Sequence, residues 1–184
     1  MYVLEYFTKE CIKMKKSFVL VFSVLLFIVP AFGQENDFAY LDHMLVYRTG
    51  NNFFINRVVH SQYTGPFTDK NGKVYNYGIE MWSDSGSSSG RGFAEYIING
   101  AYSRFEATLA LEKIWLNGDM GTTRFIIYAD GNEIFNSRFN SSSEPQNISV
   151  VIPANTQLLR LEVEQIGGSG GTHGAIWGHA ILKK

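Results

Sequence analysis

At 184 residues the chain can form one ordinary domain with a real core. Sixteen basic against seventeen acidic residues give a net charge of −1 with no basic patch, which argues against nucleic acid or an anionic membrane surface as partner. A single cysteine, Cys11, excludes a disulfide-stapled scaffold.

The first 33 residues read as an over-extended start followed by a signal peptide, Met14–Gly33. Met14-Lys15-Lys16 leads an apolar run, Ser17 to Val29, and the small residues Ala31 and Gly33 form an exit before Gln34. That run is short for a span of about 20 residues, so no membrane span is expected after cleavage. The expected mature chain, residues 34–184, keeps twelve basic and fifteen acidic residues, loses Cys11, and is secreted or periplasmic.

Along the mature chain, alternation replaces helical periodicity. Asn36 to Leu45 has room for a short helical turn, and Asn71-Gly72 marks a first reversal. Ser83 to Gly90 reads as a loop inside the domain, and Asn99-Gly100 and Asn117-Gly118 reverse the chain again. Phe105, Ala107, Leu109 and Leu111 face one way while Arg104, Glu106 and Thr108 face the other. Asp130-Gly131 predicts a hairpin joining Thr123–Tyr128 to Glu133–Asn136. Ile148, Val150 and Ile152 alternate up to Pro153, and Leu159, Leu161 and Val163 alternate with Arg160, Glu162 and Glu164. A glycine-rich loop from Gly167, with His173 at its end, delivers the last strand of the sandwich. The fold class is all-β, an antiparallel β-sandwich with jelly-roll wiring.

Little in this pattern advertises catalysis. No nucleophile elbow, a Ser on a strand-to-helix turn, is expected in this all-strand pattern, and the mature chain has no cysteine nucleophile. His173 and His179 are six apart, which on a strand means about 20 Å, too far to share a zinc ion. Oxygen ligands for a structural calcium are available at Asp69, Asp119 and Asp130. Glu106 with Glu162 or Glu164 could form a glycosidase carboxylate pair about 5–10 Å apart, against a plainer reading as solvated strand faces. The tryptophans carry more weight. Trp82, Trp115 and Trp177 each stand where a strand meets a polar or glycine-rich loop, beside Ser83 and Asp84, Asn117 and Asp119, and His173 and His179. Indole faces beside fixed hydrogen-bonding groups suit a sugar, and packing at a sandwich end suits Trp177 equally well.

In order along the chain stand Tyr40-Leu41-Asp42, Tyr75 to Ile79, Tyr96 to Ala107, Phe125 to Phe135, Leu159 to Val163, and His173 with Trp177 to Ala180. These segments resemble the NPCBM family of carbohydrate-binding modules, found with glycoside hydrolase family 98 and grouped with carbohydrate-binding module family 51. Thr172 and Ile176 stand where the family usually carries acids. The resemblance runs from about Phe38 to Leu182 and implies a galactose-binding-like sandwich that binds galactose-type or related glycans at a loop-built site without catalysis. It also implies association with a glycoside hydrolase. The expected ligand-binding set is Tyr77, Trp82, Asp84, Arg104, Trp115, Asn117, His173 and Trp177, with a glycan or polysaccharide as partner. The alternatives are a jelly-roll glycosidase or lyase using Glu106, Glu162 or His173, and an envelope or adhesion protein with a protein partner.

Overall fold

The computed structural model describes residues 37–50, 53–55, 66–84, 91–113, 121–167 and 172–184, by backbone alone at 53–55, 83–84 and 172–173. The leader, Trp115, Asn117 and Asp119 lie outside the described residues.

Two antiparallel sheets carry most of the described chain. The first runs in the order β11 (Gln146–Val151), β8 (Arg104–Leu111), β13 (Thr172–Lys183), β6 (Gly78–Asp84) and β3 (Phe53–Ile55). β1 (Phe38–Tyr40) pairs with β13 beyond the point where β6 ends. The second sheet runs β10 (Asn132–Phe139), β9 (Thr122–Ala129), β12 (Leu158–Ile166), β7 (Arg91–Ile97) and β2 (Arg48–Thr49). Neighbours distant in sequence, such as β8 beside β13, give the sandwich its crossed wiring. A 3-10 turn, Leu41–His43, occupies the segment where the sequence allowed a helical turn.

Alternation decides what fills the space between the sheets. Phe105 and Leu109 of β8, Ile79 and Met81 of β6, Phe125 and Ile127 of β9, and Leu161 and Val163 of β12 are all fully buried in one cluster. Trp177 sits among them, edge-on to Phe125 at 5.1 Å and to Phe105 at 6.0 Å between ring centroids. The β9–β10 hairpin turns through Asp130 and Gly131, both at positive φ (47° and 82°), the geometry that Asp-Gly favours. The Asp130 carboxylate accepts the backbone N–H groups of Gln157 (3.0 Å) and Leu158 (2.8 Å), fastening this turn to the start of β12.

A small hairpin of β4 (Phe67–Thr68) and β5 (Val74–Tyr75) covers the outside of the first sheet, where Phe67 and Tyr75 bury Ala110 and Ile176. The Tyr75 hydroxyl donates to Asp69 at 2.9 Å, and the other Asp69 oxygen accepts the amides of Asn71 and Lys73. The Tyr75 ring lies flat on Gly178, where a Cβ would fall inside it. Gly178→Ala is expected to destabilise the protein by about 1–3 kcal/mol through overpacking, seen as a lower urea midpoint. An unchanged midpoint would contradict this close approach.

Candidate functional site

One end of the sandwich gathers part of the expected site. β6 and β13 pair there with Trp82 opposite Gly174, Ser83 opposite His173 and Asp84 opposite Thr172, and Ala175 pairs with the end of β8 at Leu111. Trp82, Asp84 and His173 therefore come together on one strand pair. β6 runs through Ser83 and Asp84, the first two residues of the expected loop, and the rest of that loop lies outside the described residues. Ile79 and Met81 point into the core, which puts Trp82 on the outer face of its strand, half-buried. Gly174, opposite it, is itself buried. The backbone of Trp82 closes against Gly92 of β7, where a Cβ would stand 2.7 Å from the Trp82 carbonyl oxygen.

Three residues of the expected set belong elsewhere. Tyr77 precedes Trp82 by five residues, about 17 Å at strand rise, and stands at the opposite end of β6. There it is half-exposed, stacked on Tyr40 at 5.3 Å and beside His43 and His179. Arg104 starts β8, seven residues from Leu111, and donates to the Ser149 hydroxyl at 3.0 Å. Trp177 is wholly buried between the sheets and presents no face to a ligand, so its aromatic ring is a packing element.

The carboxylates also rearrange the chemistry expected of them. Glu106 lies on the outer face of the first sheet, paired with Lys183 at 2.7 Å, whereas Glu162 and Glu164 lie on the outer face of the second. The thickness of the sandwich separates them, so they cannot flank one glycosidic bond. Asp69 and Asp130, offered as calcium ligands, use their oxygens to accept the protein donors described above. Among the described residues no group of three His, Cys, Asp or Glu side chains is arranged to hold a metal ion.

Sequence reasoning passed over the outer face of the second sheet. Arg160, Glu162 and Glu164 of β12 alternate with core residues, a pattern that predicts a solvated face, yet Glu162 is only 2% exposed and Glu95 only 3%. Register explains the difference. Arg160 stands opposite both Glu95 and Tyr128, and Glu164 stands opposite both Arg91 and Arg124. Glu95 accepts Arg48 Nε and Nη2 at 2.8 Å each and Arg160 Nη1 at 3.1 Å. Glu162 accepts Arg160 Nε at 2.8 Å and Arg91 Nη1 at 3.0 Å, and Arg91 reaches on to Glu164. The Arg160 guanidinium lies 3.8 Å over the Phe93 ring. The hydrogen bond from Arg48, joined by that from Arg160, outweighs burial and holds the Glu95 carboxyl below the usual carboxylate range. Burial and the Glu162 charge push the Tyr128 hydroxyl up. A cavity of about 310 Å³ opens beside this lattice, lined by Arg91, Glu95, Tyr128, Leu158, Arg160 and Glu162.

Residues 45–183 match the family model described as NPCBM/NEW2 domain. The chain belongs to this family. The NPCBM fold is also found in solved structures of carbohydrate-binding modules of family 51. The module of Clostridium perfringens GH95, in complex with methyl-galactose, aligns with a TM-score of 0.60 at 19% identity, over 79% of this chain and 99% of that one. The tandem modules of Sp3GH98, a family 98 glycoside hydrolase of Streptococcus pneumoniae, align with a TM-score of 0.59 at 18% identity, over 80% of this chain and 47% of theirs. The CBM51-2 and INT domains of Clostridium perfringens ZmpB align at 0.63 and 14% identity, and the NPCBM chain spans only 31% of that protein. No curated protein matches the sequence. Among the described residues no helix of this NPCBM domain is long and apolar enough to cross a membrane.

Proposed function

We propose that the protein is an exported, non-catalytic glycan-binding domain that takes galactose-type or related glycans at the end of the sandwich where β6 meets β13. Membership of the NPCBM/NEW2 family across residues 45–183 carries this reading. A similar fold in a module solved with methyl-galactose supports the sugar class. Trp82 supplies a half-buried indole at this strand end, Asp84, two residues on along β6, supplies acceptors for hydroxyl groups, and His173 is proposed from its place on β13 opposite Ser83. Trp115 and Asn117, outside the described residues, complete the proposed set. The separation of Glu106 from Glu162 and Glu164 supports binding over hydrolysis by a carboxylate pair. A glycoside hydrolase is the proposed working partner.

A shallow edge gains little beyond desolvation and a few hydrogen bonds, so a dissociation constant of about 10 μM to 1 mM is expected. Trp82→Ala and His173→Ala should each weaken methyl-galactoside binding about tenfold or more, measured by calorimetry on samples whose folding is checked by circular dichroism. Wild-type affinity in both variants would remove the ligand from this edge.

A further inference from the structure

The outer face of the second sheet meets the requirements of a binding site at a place distinct from the β6–β13 edge. Its two central carboxylates, Glu95 and Glu162, are almost fully buried on what would otherwise be an open sheet face. The side chains that shield them are held in fixed geometry: Arg160 bridges both carboxylates while stacked on Phe93, and Arg91 spans Glu162 and Glu164. A rigid array of this kind needs no reordering when a ligand arrives, which lowers the entropic cost of binding. Arg91 remains about half exposed beside the cavity, so its outward N–H groups stay available.

The chemistry of the lining selects the ligand. Two guanidinium groups, Arg91 and Arg160, are balanced by two carboxylates, Glu95 and Glu162. A net-neutral lining offers no reward to an ion of either sign. It does offer guanidinium donors beside the Tyr128 hydroxyl, which both gives and receives hydrogen bonds, the complement of sugar hydroxyl groups. Tyr128, half-buried on β9, and Leu158 add an apolar wall for the C–H face of a pyranose ring. The volume, about 310 Å³, stands at the low end of the range for small-ligand sites, so the occupant is small rather than a protein surface.

From this geometry we infer that the Tyr128–Arg91–Arg160 cavity is a second ligand site, taking a neutral sugar of one or two pyranose units. The inference rests on the lattice and the cavity and does not depend on the edge site.

The test is a nuclear magnetic resonance titration of the nitrogen-15-labelled protein with lactose and with N-acetylglucosamine, and with galacturonate and glucosamine as charged counterparts, each to about 20 mM. The Nε–Hε signals of Arg91 and Arg160 report the cavity, and the amide signals of Trp82 and Gly174 report the edge. At least one neutral sugar should shift both arginine signals along a saturable curve, with neither charged sugar stronger. Tyr128→Ala should weaken that curve about tenfold, and Tyr128→Phe, which keeps the ring, by about threefold at most. Arginine shifts without edge shifts would support this site while counting against the edge. Four results would overturn it: arginine signals unmoved by both neutral sugars, shifts confined to the edge, stronger binding of galacturonate or glucosamine, or arginine shifts that grow with protein concentration alone. The last would assign the face to a second copy of the chain.

Discussion

Trp177→Ala is expected to lower the unfolding free energy by about 3–5 kcal/mol, the largest loss from any single side chain discussed above. The indole is fully buried and contacts rings on both sheets, Phe105 on one and Phe125 on the other, so its removal leaves a cavity that neither sheet can collapse to fill. Trp177→Phe should cost much less, about 1 kcal/mol. It keeps an aromatic ring and removes an indole N–H that has no hydrogen-bond acceptor among the described residues. Urea unfolding of the two variants measures both effects. Equal losses would mean that the indole, rather than an aromatic ring as such, is required at this position.

Arg160→Ala should destabilise the protein by about 3 kcal/mol, and the loss should depend on pH. Among the described residues Arg160 is the one side chain that bonds both Glu95 and Glu162, so its removal deprives Glu95 of one donor and Glu162 of another while both remain covered. In the wild type the Glu95 carboxyl is held below its ordinary value of 4.5, with Arg48 the largest cause. A lowered folded value contributes stability that is fully present above the unfolded value and is lost as pH falls through the folded one. The gap between wild type and variant should therefore be widest near neutrality and narrow steadily below about pH 4.5. Thermal unfolding from pH 3 to pH 8 measures it. A gap that stays constant would show that Arg160 acts through packing on Phe93 rather than through charge.

Much of the fold was legible because alternation reports burial directly. Phe105, Leu109, Leu161 and Val163 announce an inward face, and Asp130-Gly131 announces the turn that its two positive φ angles require. The outward faces were harder, since alternation says only that a residue leaves the core. Glu162 and Glu106 look alike in sequence, yet one is sealed under arginines and the other meets Lys183 in the open. Only the pairing of β12 with β7 and β9 distinguishes them, and pairing between strands some 65 residues apart leaves no local mark. The site was half legible for a related reason. Trp82, Asp84 and His173 share a strand end because β6 and β13 are neighbours, whereas Tyr77 just precedes β6 and Arg104 begins β8 at the other end. Trp177 carried the same polar and glycine-rich surroundings and proved to point inward, as its parity with Ala175 requires.

Titration of the folded wild-type protein with methyl-galactoside, followed at the amide signals of Trp82 and Gly174, decides whether the glycan-binding domain holds its ligand at the β6–β13 edge. Binding there should give saturable shifts at both positions, with a dissociation constant of about 10 μM to 1 mM, and a melting temperature that rises with sugar concentration. Unmoved signals and an unchanged melting temperature at about 20 mM sugar would contradict it.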